Sequence, residues 1–112
     1  MNEQNEKKTH LPFSVIMSVY HKEKPEYLNL SLESVCKQSF TPDEVYLVID
    51  GPIGDKLRDV IDGYRKKYNF FTLYEIPENK GLANALRIAV ENSKYELMFR
   101  MDSDDIAMPG RF

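Results

Sequence analysis

The sequence is short of several things that would each point to a class of protein. It has one cysteine, Cys36, so no disulfide can form within the chain, which fits a reducing compartment and argues against a small disulfide scaffold. It has two histidines, too few with that lone cysteine for a zinc site of the usual kind. It has no run near the ~18 apolar residues that a membrane helix needs. Lys7-Lys8 ahead of Phe13 to Val19 faintly suggests a signal peptide, but Pro12 interrupts the stretch and no small-residue cleavage site follows. There is no excess of positive charge either. Fifteen Lys and Arg stand against eighteen Asp and Glu, a net charge of −3. The only basic clusters are Lys7-Lys8 and Arg65-Lys66-Lys67, read as solvated surface and not as a nucleic-acid face. No G-x-G-x-x-G and no G-x-x-x-x-G-K-[ST] occurs, so neither a dinucleotide fingerprint nor a P-loop is supported.

What remains is an ordinary globular balance, 42% hydrophobic and 29% charged over 112 residues, enough for one small domain. Residues 1–12 read as a polar tail and 13–112 as the folded part. Strand and helix signals then alternate. Phe13 to Tyr20, Glu44 to Asp50, Phe70 to Ile76 and Tyr95 to Met101 are short apolar or β-branched runs. Between them lie three helical stripes. Leu28, Leu32 and Val35 form the first, after Pro25 at a tolerated helix start. Leu57, Val60, Ile61, Tyr64 and Tyr68 form the second. Leu82, Ala85, Leu86, Ala89 and Val90 form the third, with Asn79 as a candidate cap. Cys36 falls on the first helix and reads as a buried thiol. The order β-α-β-α-β-α-β places a helix in every connection. It predicts a doubly wound, mostly parallel α/β sheet with right-handed crossovers.

That topology has a chemical consequence. In such a sheet the C-terminal ends of all strands lie along one edge, and ligands bind in the crevice outside it. The ends here carry Ser18-Val19-Tyr20, Asp50-Gly51, Glu78-Asn79-Lys80-Gly81 and Asp102-Ser103-Asp104. Asp102 and Asp104 are two apart at a strand end, so extended backbone turns them to the same side. Two such carboxylates repel unless a cation joins them, and a hard divalent cation prefers oxygen ligands. The same cation offsets the charge of a diphosphate and stabilises it as it leaves. A solvated acidic turn is the plainer alternative. Asp50 before Gly51 is either turn chemistry or an acceptor for a base or ribose. Tyr20 can stack on a nucleobase or be a half-buried structural side chain. Lys80 can face a phosphate or solvent, and Gly81 permits close backbone approach.

FSVIMSVYHK, SLESVCKQSF, VIDG, ENKGLANALRIAV and MDSDDIAMPGRF, in this order, give a chain that resembles the N-terminal, nucleotide-sugar-binding half of family 2 glycosyltransferases with the GT-A, Rossmann-like fold. The resemblance runs from about Phe13 to Phe112, with a shading towards bacterial polysaccharide enzymes. It implies transfer of a sugar, with inversion, from a nucleotide-diphosphate donor such as a UDP-sugar to a saccharide or lipid-linked acceptor. It implies Ser18 and Tyr20 against the base, Asp50 in the nucleotide-binding turn, and Lys80 at the donor. It further implies Mn²⁺ or Mg²⁺ at Asp104 and Asp102 in a D-x-D motif, Asp102 being nearer the ribose. It departs from the family at Ile49, where an aspartate is usual, and at His21, where asparagine is usual. The catalytic base is expected beyond residue 112, which leaves 13–112 a donor-binding part cut off after D-x-D and catalytically incomplete. The same reading expects a cytoplasmic protein, allows a place at the inner face of the membrane in full length, and allows self-association because a half-fold exposes sheet edge. Two alternatives stay open on the residues alone. One is a non-catalytic nucleotide- or metal-binding α/β module. The other is a phosphatase of the haloacid dehalogenase type, which also uses D-x-D after a strand.

Overall fold

The computed structural model describes residues 11–38 and 40–102. Seven elements alternate: β1 (Ser14–Val19), α1 (Pro25–Cys36), β2 (Glu44–Asp50), α2 (Asp55–Lys67), β3 (Phe71–Ile76), α3 (Leu82–Asn92) and β4 (Met98–Arg100). The four strands form one sheet in the order β3-β2-β1-β4, and every pairing is parallel. The doubly wound α/β arrangement expected from the element order is therefore present.

The two faces of the sheet follow from period-two alternation. Val15, Met17 and Val19 of β1 and Val45, Leu47 and Ile49 of β2 pack with Leu28, Leu32 and Val35 of α1 and Leu57 and Ile61 of α2. The intervening Ile16, Tyr46 and Val48 pack on the other face with Ala85 and Ala89 of α3. Helices thus cover both faces, and β2 is buried along its whole length, as the central strands of a parallel sheet are. Cys36 lies buried at the end of α1, where burial pushes its thiol up to about 12 despite the opposing pull of Lys67.

Three local expectations are corrected. The fourth strand is Met98–Arg100, not Tyr95 to Met101; pairing with β1 begins only where the Ser14 N–H donates to the Leu97 carbonyl (2.9 Å). The third helical stripe is narrower than its pattern. Leu82 and Val90 are about half exposed, and the contact with the sheet is made by the fully buried Ala85 and Ala89, whose small side chains let the helix approach closely, with the partly buried Leu86 and Ile88 packed beside them. Asn79 does not cap α3. The N-cap is Gly81, at φ +96°, and the Asn79 side chain is bonded elsewhere.

The connection from β3 through α3 carries the chain past β2 and β1 to β4. Strand order therefore reverses beside β1, which opens a crevice at the C-terminal edge there.

Candidate donor site

A cavity of about 320 Å³ opens at that edge, lined by Ser18, Tyr20, Glu23, Asp50, Asn79, Gly81, Leu82 and Asp102. All four strand ends contribute. The convergence expected of residues far apart in sequence is thus what the fold produces.

Each wall has a local cause. At the end of β1, Ser18 is half-buried and Tyr20 is exposed. The Tyr20 ring meets His21 edge-on at 5.6 Å between centroids, and this leaves the Tyr20 ring at the mouth of the cavity. At the end of β2, Asp50 is buried (3% exposed). Its Oδ1 accepts the Lys80 N–H (2.7 Å). Its Oδ2 accepts the Gly81 N–H (3.0 Å) and the Asn79 side-chain amide (3.2 Å). That amide also donates to the Asp50 carbonyl (3.2 Å). Gly51, at φ +88°, follows at once. A Cβ there would lie 2.7 Å from the Asn79 nitrogen, so only glycine lets the two loops meet.

At the end of β4, the backbone of Asp102 is held from α1, whose Ser31 hydroxyl donates to the Asp102 carbonyl (3.3 Å). The Asp102 side chain is held from β4 itself, by Arg100 Nε (3.1 Å) and an ion pair from the same guanidinium (3.0 Å). Ser103, Asp104 and Asp105 lie outside the described residues, and with them the Asp104 part of the D-x-D expectation.

Ser18, Tyr20, Asp50 and Asp102 are therefore brought to one cavity. Lys80 is not among the lining residues. It is exposed, and what it contributes is a backbone N–H to Asp50. Sequence reasoning passed over Glu23, Leu82, Ser31 and Arg100. Ser31 carried a usable signal, because it stands on the buried stripe of α1 between Leu28 and Leu32, where a hydroxyl needs a partner. Glu23 and Leu82 carried none, since both are ordinary loop or helix-start positions.

The lining is acidic. Glu23, Asp50 and Asp102 all border the cavity, and Arg100 pairs with Asp102. A dianionic ligand meets unfavourable charge there unless a cation accompanies it. Hard carboxylate oxygen at Asp102 suits Mn²⁺ or Mg²⁺. Among the described residues no cluster of three or more metal-ligating side chains exists. No described helix is long and apolar enough to cross a membrane.

The family model for Glycosyl transferase family 2 matches residues 14–112. Among curated proteins, the chain is 41% identical over 102 residues to the amylovoran biosynthesis glycosyltransferase AmsE of Erwinia amylovora, covering 89% of this chain and 37% of that protein. It is 39% identical over 102 residues to the UDP-Gal:alpha-D-GlcNAc-diphosphoundecaprenol beta-1,3-galactosyltransferase of Escherichia coli, covering 89% and 36%. Among solved structures it is similar to S. aureus TarS 1-349 in complex with UDP-GlcNAc, with TM-score 0.72 and 30% identity over 86% of this chain and 27% of that one. Its fold is also that of the mannosyltransferase PcManGT from Pyrobaculum calidifontis, with TM-score 0.75 and 24% identity over 92% and 30%. The chain spans a little over a third of the length of these curated relatives.

Proposed function

Because the chain belongs to glycosyltransferase family 2, we propose that the cavity at the switch point is the donor site of an enzyme that transfers a sugar from a nucleoside-diphosphate sugar. The observation that carries this is the convergence of Ser18, Tyr20, Asp50 and Asp102 from three strand ends on one cavity, inside the stretch that matches the family.

The donor is a UDP-sugar. A UDP-galactose transferase stands among the relatives, and a structural neighbour at 30% identity is described with UDP-GlcNAc. The base stacks on Tyr20 and takes polar contacts from Ser18 and the Asp50 turn. The ribose and diphosphate run towards Asp102. Asp102 and Asp104 would hold a divalent cation, Mn²⁺ or Mg²⁺, which when bound would offset the charge of the diphosphate against the acidic lining and favour its departure. This chain's own residues bind and orient the donor, and Arg100 and Ser31 hold Asp102 in place. Residues 13–112 form that donor-holding part. Deprotonation of the acceptor hydroxyl, which an inverting transfer requires, is assigned to a carboxylate outside it. The acceptor is a saccharide or a lipid-linked saccharide, a reading supported by the lipid-linked acceptor in the name of the Escherichia coli relative, and the reaction belongs to surface-polysaccharide synthesis on the cytoplasmic side of the membrane.

The test is calorimetric titration of the chain with UDP in Mn²⁺ and again in EDTA, with Asp102→Ala alongside. Binding that needs the metal and weakens at least ~10-fold in Asp102→Ala, a loss of about 1.4 kcal/mol, is expected. An absence of binding by UDP and by other nucleoside diphosphates in Mn²⁺ would overturn the reading.

A further inference from the structure

The family resemblance puts the carboxylate of Asp50 in the nucleotide-binding turn. The fold gives most of it to the protein. An ionised carboxylate has about four acceptor positions. Three are filled by the Lys80 N–H, the Gly81 N–H and the Asn79 amide. All three donors belong to one tripeptide, and two of its members, Asn79 and Gly81, line the cavity.

Two further observations join the same pieces. The Gly51 N–H donates to the Ile76 carbonyl (3.1 Å) at the end of β3, and Gly51 lies against the Asn79 backbone with no room for a Cβ. The helix that follows, α3, starts at Gly81 with no side-chain cap of its own. Asp50, 31 residues away, places its negative charge at that N-terminus, where the helix dipole favours it.

We propose that Asp50 is a positioning residue: by holding Asn79, Lys80 and Gly81 it fixes the wall of the cavity formed by Asn79, Gly81 and Leu82, and its effect on donor binding passes through that wall. The inference rests on reading the cavity as the donor site. It predicts a signature that a direct base contact does not have. A residue that reads the base affects the nucleotide it recognises. A residue that sets a wall affects every nucleotide that touches the wall.

The experiment compares Asp50→Asn and Asn79→Ala with the unaltered chain. Amide hydrogen exchange is followed by NMR, and binding of UDP, GDP and CDP is titrated in Mn²⁺. Asp50→Asn keeps the volume but exchanges one acceptor oxygen for a donor, so it cannot hold all three groups. Faster exchange at Lys80 and Gly81, by ~10-fold or more for a lost hydrogen bond to a charged acceptor, is expected, with no change at Val45 to Val48. All nucleotides that bind the unaltered chain weaken by a similar factor. Asn79→Ala, at an exposed position, weakens them in the same pattern by less. Three outcomes overturn the proposal. One is weaker UDP binding with unaltered loop exchange. Another is loss confined to UDP, and the third is wild-type affinity in Asn79→Ala beside a large loss in Asp50→Asn. If the unaltered chain binds no nucleoside diphosphate, the donor-site reading fails. Unaltered exchange at Lys80 and Gly81 in Asp50→Asn refutes the positioning role separately.

Discussion

The two ends of β2 each carry a buried carboxylate, and they differ in what they hold. Glu44 opens the strand and is 2% exposed; Asp50 closes it and is 3% exposed. Each accepts three hydrogen bonds from other segments. Those of Glu44 come from three separate parts of the fold: the Ser14 hydroxyl of β1 (2.8 Å), the Thr72 hydroxyl of β3 (3.0 Å) and the Lys94 N–H after α3 (2.8 Å). Those of Asp50 come from one loop beside a cavity. A carboxylate that ties three segments together at the closed end of a sheet serves stability. One that organises a single loop at the open end serves the site. The chemistry of the two is the same, and their position along the strand separates them.

The widest separation is expected from removing Glu44. Glu44→Ala leaves the buried Ser14 hydroxyl and the part-buried Thr72 hydroxyl and Lys94 N–H without their acceptor, at ~1–3 kcal/mol for a buried donor. Urea unfolding should therefore show a loss of about 3 kcal/mol or more, while the folded fraction keeps its nucleotide affinity. A Glu44→Ala chain that is stable but binds poorly would erase the distinction between the two ends. Next is Gly51→Ala. The left-handed backbone costs a side chain ~1–2 kcal/mol before the clash with Asn79 is counted. Here stability and nucleotide affinity should fall together, because the turn belongs to the Asp50 end. A drop in denaturation midpoint with no change in affinity would break that link.

A smaller effect concerns pH, away from both ends. The Cys36 thiol is raised by burial to about 12 from 9.0. The Tyr64 hydroxyl is raised by burial, and then by Glu33, to about 12 from 10.0. Both are acids held protonated in the folded chain, so the folded state binds more protons than the unfolded one above pH 9. Stability is full below about pH 9 and declines as pH rises towards 12. A thermal midpoint that stays flat from pH 8 to 11 would contradict this. At pH 8 the thiol should also resist a disulfide reagent until the chain is unfolded. The smallest effect is Arg58→Ala. It removes the ion pair to Glu75 (2.7 Å), whose side chains are 36% and 56% exposed, and such pairs contribute ~0–1 kcal/mol.

Much of the contrast was legible beforehand, and the rest was not for physical reasons. Alternating apolar runs and stripes fixed the element order, and Leu28, Leu32 and Val35 are buried where their spacing puts them. From parallel strands alone, one could expect Ser18, Tyr20, Asp50 and Asp102 to gather. The strand order β3-β2-β1-β4 has no local signal, because it depends on which side of the sheet each crossover packs. Glu44 read only as the first residue of a strand, since its partners lie 28, 30 and 50 residues away. Asn79 and Lys80 drew notice as a loop near a ligand. That their groups turn towards Asp50 follows from the close approach of two glycine-bearing turns, which spacing does not encode.

The most direct test of the account is a ¹H–¹⁵N NMR titration of the chain with UDP and Mg²⁺. Shifts are expected at residues 18–20, 50–51, 79–82 and 102, and none at Ser14, Glu44, Thr72 or Lys94. Shifts centred on the Glu44 end, or no shifts at saturating UDP, would contradict it.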